Sequence, residues 1–131
     1  IHSVMYYNLF DDAGGAYLHD EFTEHRNFLL NHLQADQPVG YFPESAYWVA
    51  FDINIPVFLP LYVRSRHLDL QRIQQVGSLD DHVLFSSGWE WGYWQNDYAA
   101  LRMSWAVPED WRSAFEAMYA PVDPALDPAE R

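Results

Sequence analysis

Two glutamates stand in settings suited to bond cleavage. Glu44 follows a short apolar run in "YFPESAYW", and Glu90 sits between Trp89 and Trp91 in "SSGWEWGYWQND". Cutting a glycosidic bond takes two convergent carboxyl groups, one to protonate the leaving oxygen and one to attack the anomeric carbon or activate water. An apolar wall serves the first role, because desolvation favours the neutral acid. Glu90, with a ring on either side, meets that condition best. Rings also serve sugar recognition, since the C–H face of a pyranose stacks on a π-surface while its hydroxyls seek carboxylates and amides. Trp48, Trp89, Trp91, Tyr93 and Trp94 supply surfaces, and Asp11, Asp12, Asn96 and Asp97 supply polar partners.

The elements that must position these residues are legible in outline. His2 to Leu9, β-branched and aromatic, reads as a strand ending in the polar loop "FDDAGG". Asp20 is an expected N-cap, with Phe22, His25, Leu29 and Leu33 at helical spacing until Gln37-Pro38 ends the helix. Val39 to Glu44 is a second strand. A second helix opens at Pro56 or Pro60 and closes at Gly77, with Phe58, Leu61, Leu68, Ile73 and Val76 near one face and Arg64, His67, Gln71 and Gln74 turned elsewhere. Asp69 interrupts the apolar face. His82 to Phe85 begins a third strand. Trp94, Tyr98, Leu101 and Trp105 then recur at the spacing of a core stripe on a third helix, and Pro108 is expected to open a fourth, with Trp111, Phe115 and Met118 inward.

Strands alternating with helices predict an α/β fold in which parallel strands are joined by helical crossovers. Residues 1–120 form the expected domain, and 121–131 a proline-rich irregular tail. Three strand-helix units are fewer than the eight of a closed (β/α)8 barrel, so the expectation is part of such a barrel or a small open βαβαβ sheet. Either way the strands end on one side, and each carries acids just beyond its end: Asp11 and Asp12, then Glu44, then Glu90.

In this layout "YFPESAYW" and "LFSSGWEWGYW" resemble the strand ends of retaining (β/α)8-barrel glycoside hydrolases. The resemblance spans at most residues 2–97 and implies that Glu44 and Glu90 are the acid/base and nucleophile, with tryptophans lining the sugar subsites. The usual acid/base motif has asparagine directly before the glutamate, whereas here Pro43 and Trp89 hold that place.

Composition narrows the partners. With 19 acids against 7 arginines and no lysine, the net charge is −12. Phosphate backbones and anionic membranes demand clustered cations, so the expected partner is a carbohydrate or another neutral small molecule, with no nucleic acid and no membrane. Asp52, Asn54 and Arg64 break the longest apolar runs, short of the roughly 20 residues of a membrane span. The absence of cysteine excludes thiolate metal sites, disulfides and a cysteine nucleophile. His19 and His25 in "HDEFTEH" stand six apart, where two histidine ligands on one helical face stand four apart, so no metal or cofactor is expected. Phe85-Ser86-Ser87-Gly88 lacks the first glycine of a nucleophile elbow.

Other readings use the same residues. A carbohydrate-binding module without chemistry needs only the rings. Starting at Ile1 without an initiator methionine, the chain also reads as a piece of a longer polypeptide, whose aromatic surface meets another chain that completes the fold. An all-helical toroid would place the tryptophan segment on a helix.

Overall fold

A computed structural model describes residues 2–3, 10, 23–43, 60–84 and 90–120, with the side chains at 2–3, 61–62 and 90–93 outside the description. The chain runs β1 (His2–Ser3), α1 (Thr23–Gln34), β2 (Gly40–Pro43), α2 (Pro60–Gln74), β3 (Asp81–His82), α3 (Glu90–Trp105) and α4 (Ser113–Tyr119). All three strands are parallel and neighbour one another in chain order, with His2 opposite Phe42 and Tyr41 opposite His82. The fold is therefore mixed α/β with a parallel sheet, in the order of elements that the sequence predicts. The tail from residue 121 lies outside the described residues.

Alternation along β2 buries Tyr41 and Pro43 while Gly40 and Phe42 stay half-buried, as the two-residue period of a strand requires. Tyr41 joins one apolar cluster with Leu29 and Leu33 of α1, Leu70 and Ile73 of α2, Met103 of α3 and Ala114 of α4. The four helices thus share a core with one face of the sheet. Gly77, expected as a cap, donates its N–H to Ile73 O at 2.9 Å just past the end of α2 and is also a point of close approach, since a Cβ there would lie 3.3 Å from Leu33 Cβ.

The end of α1 shows how a local rule fixes a boundary. Asp36 adopts a left-handed conformation (φ 52), its N–H donates to Leu33 O at 3.2 Å, and Gln37 N–H donates to His32 O at 3.0 Å. These two bonds close a Schellman motif with aspartate where glycine is favoured. Relief of left-handed strain outweighs the extra freedom glycine brings to the unfolded chain, so Asp36→Gly is expected to stabilise by about 0.5 kcal/mol. Thermal denaturation should show a rise of roughly 1 to 3 °C, and a fall would refute it.

The third and fourth helices depart from expectation. The stripe Trp94, Tyr98, Leu101 and Trp105 lies on the outer side, with Leu101 60% and Trp105 87% exposed but Trp94 only 40% and Tyr98 38%, the Tyr98 hydroxyl donating to the Ala117 carbonyl of α4 at 3.5 Å. The buried side is Asn96, Ala99, Ala100 and Met103, roughly 180° around the helix at about 100° per residue. Small residues win the inner face because α3 packs against both α2 and α4, and alanines let helix axes approach where tryptophans would hold them apart. α4 begins at Ser113 rather than Pro108. Asp110 organises the intervening turn, accepting from Arg112 N–H at 3.0 Å through its side chain and from Ser113 N–H at 3.1 Å through its carbonyl. Met118 and Ala114 are buried, and Trp111 meets Phe115 edge to face at 5.6 Å.

Candidate functional site

Of the residues expected to do chemistry, Asp11, Asp12, Glu44, Trp48 and Trp89 lie outside the described residues. Glu90 is the first residue of α3, so "EWGYW" opens a helix rather than a loop, and Trp91 and Tyr93 stand in that helix's first turn. Negative charge is favoured at a helix N-terminus. Asn96 is 4% exposed on the inner face of α3, and Asp97 is half-buried. Because β2 and β3 are adjacent and parallel, the segments that follow Pro43 and Leu84 leave from the same edge of the sheet.

At the centre of the described structure lies a polar cluster. Asp69, on α2, is fully buried, and its Oδ1 accepts the Phe10 N–H at 3.0 Å while its Oδ2 accepts the Tyr41 hydroxyl. Arg66, one turn earlier, approaches Asp69 Oδ2 at 3.3 Å and donates to the Tyr41 oxygen at 2.6 Å. Burial raises the Tyr41 pKa well above its usual value, and neighbouring Asp69 adds to the rise against the opposing pull of Arg66. Tyr41 therefore remains a protonated donor. One carboxylate ties together β2, α2 and the segment after β1.

Two clefts are lined by described residues, and both lie where the loop from Gly77 to Asp80 enters β3. The larger, about 600 Å³, lies between the loop from Gly77 to Asp80, the start of β3 and the last turns of α3; the smaller, about 320 Å³, lies between that loop and the end of α1. His82 and Ser104 meet in the larger one, with Oγ 2.5 Å from Nδ1 and 2.8 Å from the Ala100 carbonyl. Proton counting decides what this pair can do. The carbonyl only accepts, so the single hydroxyl proton goes to it, and His82 Nδ1 must be the donor to Oγ. A histidine donating to serine is not its base, so the pair is no activated nucleophile.

The same pair makes a pH-dependent contribution. Burial, helped by Arg66, lowers the His82 pKa to about 4, from an ordinary value near 6.5. With the folded pKa depressed, stability is unaffected above pH 6.5 and falls between pH 6.5 and 4, where only the unfolded chain takes up the proton. Allowing for partial exposure, His82→Gln is expected to remove about 1 to 3 kcal/mol of that acid loss. Urea denaturation of both proteins at pH 7.5 and 4.5 measures it; equal pH slopes would exclude the effect.

Sequence reasoning notes Asp69 as an interruption but misses Tyr41, Arg66, His82 and Ser104 as a connected group. His67, expected to point away, is buried and donates from Nε2 to the Pro108 carbonyl at 2.7 Å, anchoring α2 to the turn before α4. Among the described residues no group of three or more histidines and acids could hold a metal, and no helix is long and apolar enough to cross a membrane. No protein-family model, curated protein or solved structure matches this chain.

Proposed function

We propose that the chain is a glycoside hydrolase, or a fragment of one, cleaving a neutral glycoside with Glu90 and Glu44 beside a tryptophan platform. One observation carries the reading: β2 and β3 are parallel neighbours, Glu44 directly follows β2, and Glu90 starts the helix after β3. Adjacent strands run roughly 5 Å apart, on the scale of the carboxyl separations of about 5 to 9.5 Å that glycoside cleavage uses. Chain-order pairing with helices on a shared face is also the plan of a (β/α)8-type barrel, of which these units would form a part. In this reading Glu90 serves as nucleophile or base and Glu44 as the acid, the reverse of the role that the flanking tryptophans alone suggest for Glu90. Asp11, Asp12 and Asp97 would shape the site. Turnover of aryl glycosides by the Glu90→Gln and Glu44→Gln variants tests the proposal.

The exposed Trp94, Tyr98, Leu101 and Trp105 favour a second reading, a non-catalytic carbohydrate-binding or interaction module. Under that reading Glu90→Gln changes nothing measurable.

A further inference from the structure

The outer face of α3 has properties that a solvent-facing helix does not need. Its four large apolar residues recur at intervals of four, three and four, the d-a-d-a spacing of a heptad seam. From their exposure they offer on the order of 600 Å² per copy, at the top of what monomers show, and about 1,200 Å² between two copies, the lower edge of specific interfaces. In this register Asp97 is a g position and Arg102 the e position five residues on. Two parallel helices bring g of one beside e of the other, acid against base on both flanks. An antiparallel pair would set Asp97 near Asp97 and Arg102 near Arg102.

We propose that α3 joins two copies of this chain in parallel and in register, with Trp94, Tyr98, Leu101 and Trp105 each meeting its counterpart and Asp97 flanking the second copy's Arg102. The interface is isologous, so it closes as a two-fold dimer and builds no fibre. Its small area and the −12 charge on each copy make it a concentration-dependent dimer rather than a permanent one. The interface shares Trp94 and Asp97 with the glycosidase reading, so its test rests on Leu101 and Trp105, which that reading does not use.

Sedimentation of the full chain from about 1 µM to 1 mM should show a reversible monomer–dimer equilibrium, with Leu101→Asp raising the dissociation constant at least about 30-fold. Leu101 is exposed, so the variant keeps its fold, as its circular dichroism should confirm. Orientation is read with one thiol, because the chain has no cysteine. Oxidised Trp105→Cys should form a disulfide-linked dimer far faster than Phe28→Cys, an exposed control on α1, because an antiparallel pair would hold the two residues 105 about 16 Å apart along the axis. A chain that stays monomeric throughout overturns the proposal, including the case where a different partner covers the stripe. Linkage of Trp105→Cys no faster than the control overturns the parallel register.

Discussion

Replacing Asp69 with alanine is expected to cost about 3 to 5 kcal/mol, because it takes a carboxylate away from the buried Arg66 guanidinium and strips acceptors from Tyr41 and Phe10. Against a typical total of about 5 to 15 kcal/mol, that brings the domain close to unfolding at room temperature. The cost belongs to the broken pair rather than to lost attraction. Converting both partners at once, in Arg66→Met/Asp69→Leu, should be milder by about 1 to 2 kcal/mol, since it removes the buried charge but still takes the acceptors of Tyr41 and Phe10. Tyr41→Phe, which removes one hydroxyl from the cluster, should cost less than either, about 1 to 2 kcal/mol. Urea unfolding of the four proteins gives the comparison. If the double variant is as damaged as Asp69→Ala, the uncompensated charge of Arg66 is not what the single variant costs.

Glu90→Gln should lower turnover of an aryl glycoside by about 10³-fold or more while sugar affinity changes only a few-fold, since the amide keeps the shape and loses the attacking or base-competent carboxylate. Leaving groups separate the two carboxyls. A good leaving group departs without protonation, so Glu44→Gln should leave kcat/KM nearly unchanged on an activated aryl glycoside and lower it about 10² to 10⁴-fold on a poor one; where Glu90 is the nucleophile, the variant's kcat also falls, because Glu44 no longer takes the proton of the water that releases the sugar. Glu90→Gln should be inactive on both. The double variant should be little worse than Glu90→Gln, as expected for groups that act as a unit. Retention of more than a tenth of the parent turnover by Glu90→Gln, or a parent that cleaves no glycoside, would remove the catalytic assignment and leave the binding module.

Much of the architecture was legible because it depends on residues close in sequence. Gln37-Pro38 marks the end of α1 since proline cannot continue a helix, and the order of strands and helices follows from apolar spacing. The carboxylates after β2 and β3 follow from the same reading, with no appeal to distant contacts. The strand at His82 is found one residue early, at Asp81, an error of the size local patterns allow.

Which face of α3 turns inward was a different kind of question. Both faces are apolar, one with Ala99, Ala100 and Met103 and the other with Trp94, Tyr98, Leu101 and Trp105, so periodicity alone favours the larger residues. The neighbours decide otherwise, because α2 and α4 need a slender surface to close on. Asp69 shows the same limit. By itself it is a misplaced acid in an apolar stripe; its partners lie 28 residues away at Tyr41 and 59 away at Phe10. The sequence by itself determined the elements, their order and the acids that follow the strands, since those rest on local sterics and spacing. Only the tertiary structure decided that Asp69 is the central tie and that the tryptophan stripe lies on the outer side, since burial depends on which surfaces meet, and that is a property of distant pairs.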